Sequence, residues 1–216
     1  MAISRPRSVA RMAALSLVLT AGTAGAASLR DLPTEVLCDL IDEAEAAANE
    51  PERARVLSLL TDDERAAVRA QVAAVMGNLW PNAGPDVSDE LRRLARDASD
   101  NVRVSAAVGL ARAIERASAP ERIDLVCTWA LSEDRDERLA LARALTWSTP
   151  VFVADLVLEQ LAADDSTAVR AASLAAVAKH FHEDSSAYVR IVSKCLEDPD
   201  RNVQKLARAL FKRARG

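Results

Sequence analysis

Small and apolar residues return along this chain with a helical period, interrupted by short acidic turns. In ASDNVRVSAAVGL (Ala98–Leu110), apolar or small residues stand three, four and seven places after Arg103. Residues at those spacings share one face of an α-helix. The same arrangement follows four other positions, which together with Arg103 we call the anchors: Arg69, Arg138, Arg170 and, more weakly, Gln204.

The spacing of the anchors indicates an internal repeat. Successive anchors are 34, 35, 32 and 34 residues apart. The segments PERARVLSLL and PERIDLVCTWAL, which precede two of the anchors, begin 69 residues apart, two of these periods. Prolines at 51, 85, 120 and 150 stand where a helix would begin, a position that tolerates the missing N–H. Each repeat is therefore predicted to hold two helices, A and B.

The pattern predicts helix bounds and a domain organisation. The predicted A and B helices are 51–60 and 63–78, 87–96 and 100–116, 120–131 and 135–147, 151–162 and 166–181, and 185–196 and 200–214. An additional helix over 33–48, with Thr34 as its N-cap, would cover the open end of the first pair. The expected organisation is a leader over 1–26, a capping helix within 27–50 and a repeat domain over 51–216.

The repeat consensus D-x-D-x-x-V-R-x-x-A-x-x-A-L, seen in DPDRNVQKLARAL (Asp198–Leu210), resembles the short bacterial HEAT repeats also called PBS-lyase HEAT-like repeats. The resemblance covers about 51–214. It implies an all-α fold, a right-handed α-solenoid of about five two-helix repeats, with the B helices on its concave face. Because most proteins with such repeats are scaffolds and binding surfaces, with a few enzymes among them, we expect a non-enzymatic scaffold that binds another protein there, without a cofactor or metal.

Composition agrees with a helical fold. Half of the residues are hydrophobic, yet only 3% are aromatic and there are six glycines. A disordered chain would lack the apolar half, and a β-sandwich would need more aromatic residues and more turn glycines.

The first 26 residues have the features of a secretory signal peptide. Arg5, Arg7 and Arg11 precede an apolar stretch over 12–21, and Ala24-Gly25-Ala26 offers small residues for cleavage. The apolar stretch is too short to span a bilayer. We therefore expect export to the periplasm or the exterior, or a cytoplasmic protein if the leader is retained, and no stable membrane span after cleavage.

The net charge of the chain favours some classes of partner over others. Loss of the three leader arginines would take the net charge from −4 to −7. An acidic body is repelled by phosphate backbones and anionic lipid, so a protein partner is favoured over nucleic acid unless a local basic patch intervenes.

Few residues carry the chemistry of a catalytic or metal site. Cys38, Cys127 and Cys195 lie far apart, without metal-ligand spacing, and are expected to be buried free thiols. His180 to Asp184 is the one cluster with ligand chemistry. HEAT-like deoxyhypusine hydroxylases hold two irons with several His-Glu pairs, and two histidines cannot complete such a site.

Two enzymatic or nucleic-acid-binding alternatives remain open. Trp80, Trp129 and Trp147, with nearby charged residues, are similar to the concave-face residues of HEAT-like alkylpurine DNA glycosylases; those charged residues are Asp136, Arg138 and Arg143. Four lysines and a net negative charge disfavour that activity, and Trp129 falls at a core position of its A helix. The repeats are also similar to those of bilin lyases, but that similarity provides no residue motif to compare with this sequence.

Acidic and basic residues at the start of each B helix are interpreted as structural. Each pair combines an acid at the helix start with the anchor of the same repeat, as in Asp100 and Arg103, Asp134 and Arg138, or Asp165 and Arg170. The carboxylate can cap the helix while the arginine pairs with an acidic turn of its own or the neighbouring repeat.

The candidate partner-binding residues lie nine places after an anchor, just beyond the buried stripe. They are Arg112, Trp147, Lys179 and Arg213. The competing interpretation is that these side chains are simply solvated, or that their charges complement the carboxyl ends of the helices.

The leader hypothesis predicts the mass of the native protein. Purified from the organism that makes it, the chain should lack residues 1–26, because a signal peptidase would cleave after Ala26. Intact mass spectrometry decides the matter, and the mass of a chain that still carries these residues would contradict export by this route.

Overall fold

The computed structural model describes residues 29, 31–46, 54, 57–80, 85–148, 154–180 and 185–213. All regular structure within these ranges is helical. The helices are α1 (Thr34–Ala46), α2 (Ala66–Met76), α3 (Pro85–Ala95), α4 (Asp100–Arg116), α5 (Ala119–Ala130), α6 (Arg135–Trp147), α7 (Ala154–Leu161), α8 (Thr167–His180), α9 (Ser186–Cys195) and α10 (Arg201–Arg213), with a 3₁₀ turn at Gly77–Leu79. Residues 57–60, at the end of the first predicted A helix, are also helical.

These bounds confirm the helix pairs that the repeat predicts, to within a few residues wherever the chain is described. The helix predicted over 33–48 is present as α1. The predicted leader lies outside the described residues. In the part of the chain that is described, no helix has the length and apolar character needed to cross a bilayer.

The chain divides into two compact units, Met1–Gly109 and Leu110–Gly216. In the first unit α2 packs against α1 and against α3. In the second unit the helices form two layers. The A helices α5, α7 and α9 contact one another in order, as do the B helices α6, α8 and α10, and each A helix packs on the B helix that follows it.

The core of each unit is the predicted stripe. Residues three, four and seven after the arginine anchors are all buried, with exposures of 0 to 1%: Val72, Ala73, Met76, Ala106, Ala107, Leu110, Leu141, Ala142, Leu145, Ser173, Leu174 and Val177. The last repeat departs as predicted, since Arg208 stands four after Gln204 and is exposed. Ala or Ser occupies five of these twelve positions, because closely stacked helices leave little room for large side chains there.

Helix starts follow from local chemistry. Glu121 accepts hydrogen bonds from the backbone N and Oγ of Ser118 at 2.9 and 2.6 Å, just ahead of the turn that contains Pro120. Asp134 Oδ1 accepts from the backbone N of Asp136 at 2.8 Å and begins α6. Ser185 does the same for α9. These contacts satisfy N–H groups that a helix start leaves unpaired.

Two further expectations about buried residues can be compared with the structure. Trp129 is 0% exposed, which confirms its core position. All three cysteines are free thiols, but only Cys195 is buried, whereas Cys38 and Cys127 are half-buried.

Gly109 marks a close approach between helices in the first unit. A Cβ at this position would lie 2.1 Å from the carbonyl oxygen of Ala73 and 2.9 Å from Leu91 Cδ2. The first of these neighbours is backbone and cannot rotate away. Glycine is therefore required on α4 where this helix meets α2 and α3.

We expect Gly109→Ala to destabilise the protein by about 2 kcal/mol, because overpacking against backbone outweighs the roughly 1 kcal/mol that alanine gains in helix propensity. Urea unfolding measures the change. Ala175→Gly, at an exposed position of α8, is the control for propensity alone and should cost about 1 kcal/mol. A more stable Gly109→Ala protein would contradict the close approach.

Candidate functional site

Each anchor side chain reaches back into the turn before its own B helix. Arg69 Nη1 donates to the carbonyl oxygens of Asp63 and Glu64 at 2.6 and 3.0 Å. The acceptors are the residues six and five places before the anchor. The same acceptors serve the other anchors, namely Arg103, Arg138, Arg170 and, for the first acceptor only, Gln204. The anchors thus pair turn carbonyls that the helices leave unsatisfied.

The residue six places before an anchor, which we call the turn position, shapes that turn. Asp97 Oδ1 accepts from the backbone N of Ser99 at 2.8 Å. Asp164 and Asp198 make the equivalent bond, each at 2.8 Å. A short carboxylate that bonds to the backbone two residues on fixes the reversal between the A and B helices.

The anchors also join successive repeats. Arg69 Nε and Nη2 donate to the two carboxylate oxygens of Asp97, the turn position of the next repeat, at 2.7 and 2.9 Å. The second unit contains two more such bidentate pairs, Arg138 with Asp164 and Arg170 with Asp198. We call these three pairs the ladder. Bidentate Arg–carboxylate geometry fixes orientation as well as distance, so the ladder sets the register between repeats.

In the third repeat, the carboxylate does not come from the turn position. Its turn position is Ser132, and the residue before its anchor is Glu137, where the other four repeats have valine. Ser132 Oγ donates to Glu137 Oε2 at 2.7 Å, and Glu137 is 1% exposed. The acid is therefore supplied by the helix instead of the turn.

The first turn position is held from within its own repeat. Arg65 donates to both carboxylate oxygens of Asp63 at 2.7 Å, and its Nη1 donates to the carbonyl of Leu32, ahead of α1. Because no anchor precedes this repeat, Arg65 takes the place of one and ties the turn to the segment that leads into α1.

The acids and arginines at these helix starts are structural, as predicted, and the arginines pair both within their own repeat and with the turn of the next one. Arg103 pairs with Asp100, and Arg138 reaches Asp165 as well as Asp164. Arg170 does not pair with the carboxylate of Asp165, since its partner is Asp198 of the next repeat. Asp165 offers Arg170 only its carbonyl, because the bidentate fork is directed across the repeat boundary.

The ladder perturbs its carboxylates. Hydrogen bonds from Arg170 hold the pKa of Asp198 below its usual range, and those from Arg69 do the same for the pKa of Asp97. Burial tends to raise the pKa of Asp164, but bonds from Arg138 and the Ser166 N–H lower it overall. Each pair therefore stabilises the fold fully above the ordinary Asp pKa, and the contribution is lost as pH falls through the lowered value.

The B layer of the second unit has an outer face, which we call the B surface and which is exposed except at Leu139, where the side chain is buried, and at the half-buried Arg143 and Ala171. It comprises the residues one, five and nine places after the last three anchors. Residues four apart share a helix face. These are Leu139, Arg143 and Trp147 on α6, Ala171, Ala175 and Lys179 on α8, and Lys205, Ala209 and Arg213 on α10.

Three of the four candidate binding residues lie on this B surface. Trp147 is 50% exposed, and Lys179 and Arg213 are exposed at the equivalent register of the next two B helices. His180 contacts the carbonyl of Leu145, which holds the end of α8 against the end of α6. Arg112, on α4, is half-buried. A binding role for these residues stays a prediction.

The residues similar to those of DNA glycosylases do not form a shared site in the described structure. Trp129 is buried, Arg138 is held by the ladder, and Asp136 accepts from Arg135 at 3.0 Å. Only Arg143 and Trp147 reach the B surface.

A cavity of about 330 Å³ lies between α7, α9 and the turn before α10. Cys195 lines it, nine places before its anchor, where other repeats have leucine or Trp129. Burial raises the pKa of the Cys195 thiol, which keeps it protonated and poorly nucleophilic.

Among the described residues, no three His, Cys, Asp or Glu side chains are placed to share an ion. His182, Glu183 and Asp184 of the predicted cluster lie outside those residues.

Comparisons with known proteins identify the fold. No protein-family model matches the chain, and no curated protein matches its sequence. The crystal structure of Cex1p aligns with 96% of the chain at a TM-score of 0.53 and 11% identity. The chain spans less than half of that protein, 43%.

Two further solved structures are more distant. A HEAT-like repeats protein from Thermococcus onnurineus NA1 aligns over 94% of the chain and 80% of its own, with a TM-score of 0.43 and 11% identity. A designed armadillo repeat protein in complex with the peptide (KR)4 aligns over 97% and 94%, with a TM-score of 0.42 and 15% identity.

The class of protein follows from the repeat geometry and the fold. Two-helix repeats with a recurring anchor, stacked in A and B layers within the second unit, make this an all-α solenoid-type repeat protein. The resemblance drawn from the repeat consensus is thereby confirmed for the fold.

The ladder predicts a large effect at Arg170. Arg170→Met should destabilise the protein by about 3–5 kcal/mol, since it leaves the buried carboxylate of Asp198 without its partner. Urea unfolding measures the loss. Arg135→Met, which removes an arginine that is 61% exposed beside Asp136, is the matched control and should change stability by less than about 1 kcal/mol. Equal effects for the two variants would contradict a structural ladder.

Proposed function

We propose that this protein is a non-enzymatic scaffold that binds a segment of another protein on the B surface. The observation that carries the proposal is Trp147, a large aromatic side chain that is half exposed where three B helices pack in order. Exposed tryptophans of this kind are common anchors of protein interfaces. Stacked repeats supply the extended, rigid surface that such an interface needs.

The floor of the B surface supports an extended ligand. Ala171, Ala175 and Ala209 place only methyl groups between the longer side chains, so a polypeptide can approach the helices closely. Lys179 and Arg213 stand beside this floor and supply polar contacts. Arg112 lies nine places after its anchor, as Lys179 and Arg213 do, and this shared sequence position is the sole reason to include it in the proposal.

We also propose that the partner is met outside the cytoplasm, after cleavage of the leader over 1–26. The arginine-rich start, the short apolar stretch and the small residues at 24–26 support export.

Site-specific photo-crosslinking tests the binding surface. A benzophenone amino acid replaces Trp147, Lys179 or, as a control on the A layer, Leu156, which is 65% exposed on α7. We expect one defined protein to be crosslinked from the first two positions and not from the third. Trp147→Ala should weaken its binding about 10- to 30-fold, the usual effect of removing a tryptophan anchor.

The thermal unfolding midpoint of Trp147→Ala should stay close to that of the wild type, because half of the side chain is already in solvent. Crosslinking from Leu156 alone, or unchanged partner affinity in Trp147→Ala, would contradict a binding role for the B surface.

A further inference from the structure

The charge of the last two B helices differs from that of the chain as a whole. The chain has a net charge of −4, yet neither α8 nor α10 contains an Asp or Glu residue. Their exposed cations are Lys179, Arg201, Lys205, Arg208, Lys212 and Arg213. The second unit therefore presents a basic face on an otherwise acidic protein.

The acids of the A layer and of the turns do not neutralise this face. Glu159 on α7 accepts from Arg190 and Lys194 on α9, both in the A layer. Asp164 and Asp198 are held by the ladder. Within the described residues, Lys179, Lys205 and Lys212 form no ion pair. Among the described residues, no carboxylate takes up their charge.

The helix dipole explains only part of the basic charge. Lys179, Lys212 and Arg213 lie in the last turns of their helices, where a cation complements the partial negative charge of the carboxyl end. Lys205 and Arg208 lie in the middle of α10, where the dipole offers no such compensation. The helix dipole therefore does not explain these mid-helix cations.

From this surface we infer that the bound segment is an acidic polypeptide, stretched across α6, α8 and α10, with Trp147 at one end of its path and the cations of α10 at the other. The inference rests on the proposed function and names its partner class. Acidic side chains would meet the lysines and arginines, while the backbone lies over the alanine floor. Charge complementarity of this kind chiefly sets selectivity and association rate.

The same surface fits single-stranded nucleic acid less well. Proteins that bind single strands stack successive bases on several aromatic side chains. Among the described residues of the B surface, Trp147 is the one aromatic side chain. A long polyanion would also extend beyond this face toward the acidic remainder of the protein.

Labelled peptides of defined charge test the inference on the full chain. The probes are fluorescein-labelled decaglutamate, decalysine and a ten-nucleotide oligo-dT, followed by fluorescence anisotropy at 50 and 300 mM NaCl. We expect decaglutamate to bind at least about 10-fold more tightly than either other probe, with an affinity that falls as salt rises.

Two variants with the same change in net charge locate the binding. Lys205→Glu removes a cation from the B surface, whereas Lys194→Glu removes one from the A layer, where its side chain is 59% exposed. We expect about a 10-fold loss of decaglutamate affinity in the first and less than a 2-fold loss in the second. Thermal unfolding confirms that both variants fold.

Negative results in these experiments would distinguish the inference of an acidic partner from the scaffold proposal. Tighter binding of decalysine or of oligo-dT, or equal losses in the two variants, would overturn the acidic partner. If crosslinking from Trp147 and Lys179 still captured one protein, the scaffold proposal would stand with a different partner class. If crosslinking failed while decaglutamate bound as expected, the affinity of this face for acidic polypeptides would be supported. The proposal of a physiological protein partner would be contradicted.

Discussion

The bidentate contact between an anchor arginine and the next repeat's turn aspartate is the interaction on which this architecture depends. One guanidinium pairs two carbonyls of its own turn and both oxygens of a carboxylate in the following repeat. The pair is part-buried or buried, so losing one partner leaves a charge that water cannot fully solvate. Hydrophobic stacking of small residues would permit sliding between repeats, and the ladder restricts it.

Where the ladder changes, the change is compensated by neighbouring residues. At the third turn the acid moves from the turn to Glu137, and Ser132 donates to it. At the first turn Arg65 serves in place of a missing anchor. At the last repeat Gln204 keeps the bond to its own turn and, being uncharged, needs no carboxylate beyond it. The ends and the irregular turn are thus satisfied by residues close to them in sequence.

The division of roles between the layers bears on function. The ladder arginines are engaged in ion pairs within the fold. In the A layer, Glu159 pairs with Arg190 and Lys194. Lys179 of α8 and Lys205 and Arg213 of α10 remain on the B surface beside an exposed tryptophan. An acidic chain can thereby carry a basic binding face, because charge acts over roughly 10 Å at physiological salt and the local arrangement matters more than the sum.

The repeat period, the helix pairs, the buried stripe and the exception at Arg208 were determined by the sequence, because helical periodicity and proline placement act over neighbouring residues. The tertiary structure decided which acid each arginine takes. Asp165 is nearer to Arg170 along the chain, yet Asp198 receives the bidentate contact because stacking brings the next turn within reach. It also decided that Gly109 must lack a side chain, that Cys195 borders a cavity, and that Trp147 and Lys179 share a surface. Such facts depend on contacts between segments about 30 residues apart, which a linear pattern does not specify.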